Sequence, residues 1–88
     1  MAAKSEFLVK VSAARMPSSC WGMYARVGVL ECDPGAAPKM LSARARGVRR
    51  VVATWEKLHV GRTTRCAFQR ALAEACAMAA RLNKEVPR

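Results

Sequence analysis

Four guanidiniums fall within seven residues, Arg44, Arg46, Arg49 and Arg50, in the run RARGVRR. Arginine presents a planar fork of N–H donors that fits pairs of phosphate oxygens. If residues 39–46 form a strand, Arg44 and Arg46 project to one side about 7 Å apart. That is near the spacing of successive phosphates along one nucleic-acid strand. The competing role for such residues is to protect a sheet edge from wrong pairing.

A second group, Gly61-Arg62-Thr63-Thr64-Arg65, stands just ahead of a helical pattern. A helix start carries unpaired N–H groups and partial positive charge, and Asp or Glu usually sits there. Arg62 and Arg65 oppose that dipole, which suggests that an external anion supplies the negative charge, with the Thr63 and Thr64 hydroxyls as further donors. A third pair, Tyr24 and Arg26, shares one face of a predicted strand and sets a stacking ring beside a cation, as in single-strand binders. The remaining aromatics, Phe7, Trp21, Trp55 and Phe68, are assigned to the core.

No set of residues carries a reaction, and the chain is expected not to be an enzyme. The acids Glu6, Glu31, Asp33, Glu56, Glu74 and Glu85 are scattered, and the single histidine, His59, has only Glu56 close in sequence. There is no H-E-x-x-H, no glycine-rich phosphate loop and no G-x-S-x-G. Cys20, Cys32, Cys66 and Cys76 lie at irregular gaps without a C-x-x-C, so neither a metal nor any other cofactor is expected. Lys4, Glu6, Lys10 and Arg15 interrupt the first sixteen residues, which leaves no apolar signal core. No run approaches the roughly 18 apolar residues of a spanning helix. Reduced thiols in the cytoplasm are the expectation, with a transit peptide within residues 1–16 as the competing reading.

Sixteen Lys and Arg against six Asp and Glu give a net charge of +10 over 88 residues. A magnitude of about 2–8 serves solubility in a small domain, and the excess repels itself unless an anionic partner relieves it. Residues 39–70 hold nine of the cations against Glu56 alone, so a net +8 of the +10 lies there.

The elements that must position these residues follow from periodicity. Glu6–Ala13 alternates, with Phe7, Val9, Val11 and Ala13 to one side and Leu8, Lys10 and Ser12 to the other, as a half-buried strand does. Trp21–Cys32 is apolar on both faces and reads as a central strand, with Gly28 marking a bulge or a close backbone approach. Asp33-Pro34-Gly35 stops it with turn chemistry. Residues 39–60 are ambiguous. Leu41, Ala45, Val48, Val52 and Trp55 fall at helical spacings, whereas Gly47 and the β-branched Val48, Val51, Val52 and Thr54 favour two strands, 39–46 and 48–60. Two strands are the reading adopted. Thr63 or Thr64 is expected to cap a helix running to Leu82 or Asn83, and Ala67, Ala71, Ala75 and Ala79 form a column of small side chains suited to tight packing on a sheet.

The expected fold is a single α+β domain, a small antiparallel sheet of three or four strands packed against one C-terminal helix, with flexible ends at 1–5 and 84–88. The expected function is non-catalytic binding of nucleic acid through Arg44, Arg46, Arg49, Arg50, Arg62, Thr63, Thr64, Arg65, Arg26 and Tyr24. The alternative is a small interaction or inhibitor protein that docks on an acidic surface of a host protein complex. In size and lack of motif the chain is similar to small phage-encoded inhibitors, anti-CRISPR proteins among them, which act in the host cytoplasm. No membrane partner is expected. A homodimer through the alanine-rich helix is a further possibility.

Overall fold

The computed structural model describes residues 5–15 and 23–85. Cys20, Trp21 and the turn expected at Met16–Ser19 lie outside these residues. Three strands, β1 (Glu6–Arg15), β2 (Met23–Cys32) and β3 (Val48–His59), form one antiparallel sheet in the order β1-β2-β3, followed by a single helix, α1 (Ala67–Glu85). This is the expected α+β architecture, with the strand read as central in the middle. The helix runs through Glu85, two residues beyond the predicted stop at Asn83.

The two faces of the sheet are covered differently. Phe7, Val27, Val29 and Leu58 pack with Ala71, Ala75 and Ala79 beneath α1. On the opposite face Leu30 and Cys32 are closed over by Leu41, from the segment between β2 and β3. Burial pushes the Cys32 thiol up, with help from Asp33, Glu6 and Glu31, so it stays protonated and serves as a small apolar filler. Ala71, Ala75 and Ala79 of the alanine column are buried against the sheet, as the tight-packing reading expects, and Ala67 is half-buried.

The ambiguity over residues 48–60 has a physical source. On β3, Trp55 and Leu58 pack toward the helix, while Val48 and Val51 pack toward the opposite face. Each pair is three apart rather than two, because at the register shifts β3 carries one residue more than β2. The bulges convert a period of two into a period of three that imitates a helix. At the bulge opposite Arg26, Lys57 adopts φ 55°, the left-handed conformation such an extra residue takes.

Residues 39–46 do not form the expected strand. Ala45 N–H donates to Ser42 O and Val48 N–H to Ala45 O, both at 3.1 Å, so the chain advances through successive tight turns. These turns bury Leu41 and Ala45, four residues apart, and leave Ala43, Arg44 and Arg46 exposed. The segment begins with a turn in which Ala36 N–H donates to Asp33 O at 3.0 Å, with Pro34 and Gly35 (φ 78°) at the positions a type II turn assigns to Pro and Gly. Asp33 N–H donates to Gly47 O at 2.8 Å and draws the two ends of the loop together.

Leu41 docks where β2 lacks a side chain. A Cβ on Gly28 would stand 2.2 Å from Leu41 Cδ1, so Gly28 supplies the close approach its position suggested. Gly28→Val is expected to cost about 1–3 kcal/mol through overpacking. It should also speed hydrogen exchange at the Ala45 and Val48 amides. Unchanged exchange at those amides would show that Leu41 does not hold the loop on the sheet.

The helix is fixed at both ends by side chains. Cys66, not Thr63 or Thr64, is the N-cap: its Sγ accepts from Gln69 N–H at 3.4 Å, and its carbonyl accepts from Arg70 N–H at 3.1 Å. Thr63 instead closes the preceding turn, where its carbonyl accepts from Cys66 N–H at 3.1 Å. Near the other end Asn83 Oδ1 accepts from Phe7 N–H at 2.8 Å and Asn83 Nδ2 donates to Phe7 O at 2.9 Å. That pair occupies the outer edge of β1 as a neighbouring strand would. In mid-helix, Glu74 accepts from Trp55 Nε1 at 3.1 Å.

Candidate nucleic-acid interface

The run RARGVRR divides at Gly47, whose φ of 85° turns the chain from the loop into β3. Arg49 and Arg50, on the strand side, are engaged within the domain. Arg49 Nε lies 2.6 Å from Asp33 Oδ1, and its Nη1 donates to Ser5 Oγ at 2.7 Å. Arg50 Nε lies 2.6 Å from Glu31 Oε1, and Ser5 Oγ donates to Glu31 Oε2 at 2.6 Å. These two arginines fasten the ends of the strands, so their guanidiniums are shared with acids of the fold.

The Ser5 hydroxyl first, and then the Arg50 guanidinium, hold the Glu31 carboxyl below the usual glutamate value. A depressed carboxylate contributes stability above its unfolded pKa, and that contribution is lost as pH falls through the folded value. The parent should therefore lose stability on acidification below the ordinary glutamate pKa more steeply than Glu31→Gln. Thermal melts of the two proteins across that acid range check it. Parallel curves would remove Glu31 as the linked group.

Arg44 and Arg46, on the loop side, are exposed and have no ion-pair partner among the described residues. Between the two arms of the loop lies a cleft of about 650 Å³, with Lys39 and Arg46 facing Asp33 and an apolar wall that includes Met40. At the helix start Arg62, Thr63, Thr64 and Arg65 are all exposed, and the first turn of α1 holds no acid. The dipole mismatch read from the sequence is therefore present. Arg44 and Arg46 precede β3 and Arg62 and Arg65 follow it, so the two basic groups flank the strand at opposite ends.

The half of the outer sheet face left uncovered by Leu41 carries a third basic region. Lys10, Ser12 and Arg26 on β1 and β2 face Lys39, Met40 and Ser42 of the loop across a cleft of about 370 Å³. Arg26 Nε stands 2.9 Å from Glu56 Oε1, yet the contact lies off the N–H direction, so Nε is buried without a hydrogen bond. Beside it Tyr24 pairs with His59, ring centres 6.1 Å apart and planes at 77°. Tyr24 and Arg26 do share a face, as their alternation indicated. The contributions of Lys10, Ser12, Lys39, Met40, Ser42 and His59 escaped the sequence reading. The signal for two of them was present: antiparallel pairing sets Ser12 opposite Arg26 and Lys10 opposite Gly28.

Of the six acids, all but the exposed Glu85 meet a partner within the fold. Glu31, Asp33 and Glu56 lie in ion pairs, Glu74 holds Trp55, and Glu6 accepts from Gly35 N–H at 3.3 Å. Beyond Arg26, Arg49 and Arg50, the lysines and arginines whose side chains are described form no ion pair among the described residues. No helix among those residues is long and apolar enough to cross a membrane. Compared with protein-family models, curated proteins and solved structures, the chain matches none.

Proposed function

We propose that this domain holds a nucleic-acid backbone by non-catalytic, charge-driven contact. One observation carries the reading: five of the six acids are tied to partners inside the fold, while the cations of the loop and helix start stay exposed and uncompensated among the described residues. Two such groups at the two ends of one strand suit a polymer better than a small anion.

Phosphate contacts made by Arg44, Arg46, Arg62 and Arg65 release counterions, so affinity falls with salt. About four contacts predict a loss of roughly 50- to 150-fold between about 50 and 200 mM monovalent salt. Fluorescence anisotropy with labelled single-stranded DNA, duplex DNA and RNA at the two salt levels tests this. Absence of salt-dependent binding to all three, together with recovery of a stoichiometric acidic protein in pull-downs, would replace this reading with docking on a protein surface.

A further inference from the structure

We infer that the half of the outer sheet face that no described residue covers is a site for unpaired nucleotides, with phosphate seated in the Lys10–Arg26–Lys39 cleft and a base stacked on the Tyr24–His59 pair. The inference rests on the nucleic-acid reading and goes beyond it: it names single strands as the ligand class and a different surface as the place where bases are read.

The cleft has the composition of a phosphate seat. Three cations reach it from three segments, Lys10 from β1, Arg26 from β2 and Lys39 from the loop, and Ser12 and Ser42 add hydroxyls. Its volume of about 370 Å³ falls within the range of pockets that take one small ligand, about 300–1,000 Å³. No acid lines it. Arg26 is shared between the fold and the cleft: its Nε lies 2.9 Å from Glu56 Oε1, while its side chain stays 42% exposed. The exposed part of this guanidinium can hold a phosphate oxygen in the cleft alongside its contact with Glu56.

Tyr24 adjoins Arg26 along β2, two positions away on the same face. Its partner His59 sits on the neighbouring strand at the directly opposed position. Edge-on pairing leaves neither ring stacked parallel on another among the described residues, and His59 is exposed. A base can therefore lie against an aromatic face while its phosphate lies in the cleft. A duplex keeps its bases stacked on one another and cannot make that contact, whereas a single strand can. The polarity of the surface is continuous in the other direction as well. Lys39 and Met40 line both this cleft and the larger one that holds Arg46, so a strand leaving the seat passes onto the loop arginines.

The experiment compares a labelled oligothymidylate of about 12 nucleotides, within the range of about 4–16 that one small domain covers, with an abasic oligomer of equal length and with a duplex. The parent should bind oligothymidylate at least about fivefold more tightly than the abasic strand, the lower bound of one stacked base. Tyr24→Leu, which keeps apolar bulk, and His59→Ala should remove that preference and leave abasic binding unchanged. Lys10→Gln with Lys39→Gln should weaken both single strands by the same factor and flatten their salt dependence. Circular dichroism confirms that each variant is folded. Equal binding of oligothymidylate, abasic strand and duplex by the parent overturns this inference while leaving charge-driven binding in place. So does a base preference that survives Tyr24→Leu and His59→Ala. Failure of the parent to bind any of the three in a salt-dependent way overturns both.

Discussion

The double variant Arg44→Glu/Arg46→Glu is expected to bind single-stranded nucleic acid roughly 10- to 100-fold more weakly than the parent at about 50 mM salt, because two phosphate contacts are lost and two repulsive charges are added. The slope of log affinity against log salt should fall by about 1.5 units, at roughly 0.7–0.9 per contact. Both side chains are exposed and free of ion pairs among the described residues, so reversal should leave the fold intact. Arg62→Glu/Arg65→Glu should weaken binding similarly. It should also raise the thermal midpoint slightly, since acids ahead of a helix whose first turn contains none complement its dipole. The two pairs are separated by the twelve residues of β3, a span of up to about 40 Å, in a domain whose longest dimension is 52 Å. A mononucleotide therefore cannot sense both pairs, while a strand of about 20 nucleotides can. Losses that combine on the long strand and not on the mononucleotide mark one polymer held at two places. If both variants bind as the parent does, neither group contacts nucleic acid, and the acidic protein surface becomes the leading partner.

The contrast with Arg49 and Arg50 is instructive, because composition makes all four arginines of RARGVRR equivalent. What separates them is Gly47. A positive φ there leaves Arg44 and Arg46 on a loop whose one acid, Asp33, is taken by Arg49, and sends Arg49 and Arg50 onto a strand whose end meets Asp33 and Glu31. Those partners are sixteen and nineteen residues distant in sequence, visible only once β2 and β3 are paired. A local charge density thus overstates an anion site whenever strand pairing returns acids to it.

The elements most legible in the sequence were those with an undisturbed period. β1 alternates cleanly, and α1 repeats its apolar stripe and alanine column over nineteen residues. β3 was ambiguous because its bulges are set by pairing with β2, and a bulge changes the period of a strand without changing its residue types. Residues 39–46 were misread because an alternating Ala/Arg pattern fits a strand only if an edge is available. The groove above Gly28 offers Leu41 a place to bury that an added edge strand would not. The capping thiol of Cys66 was missed because threonines two and three residues earlier are better acceptors. The turn closed by Thr63 O and Cys66 N fixes the helix start one residue beyond their reach. The outer-face cleft needed three segments together, of which only the β1–β2 register was deducible.

The second large effect is on stability. Ala75→Leu is expected to destabilise the domain by about 1–3 kcal/mol, the cost of forcing extra methylenes into a closed contact. Ala75 is wholly buried at the centre of the column, with Ala71 and Ala79 one turn away on either side and Val27, Val29, Phe7 and Leu58 in the same cluster. The helix sits close because these side chains are small. It is also pinned by Asn83 on Phe7 and by Glu74 on Trp55, so it cannot rise evenly to admit a larger residue. For a domain of this size each kcal/mol lowers the midpoint by roughly 4–8 °C, which places the expected shift at about 5–20 °C. Ala77→Leu, two positions along on the exposed side, is the matched control. It adds the same apolar bulk to the same helix without entering the contact, and should stay within about 0.5 kcal/mol of the parent. Thermal melts of the two variants separate packing from any change in helix propensity, which they share. If Ala75→Leu melts with Ala77→Leu, the helix does not rest on the sheet through this column. The core beneath it, and the sheet orientation that exposes the opposite face, would then need a different arrangement.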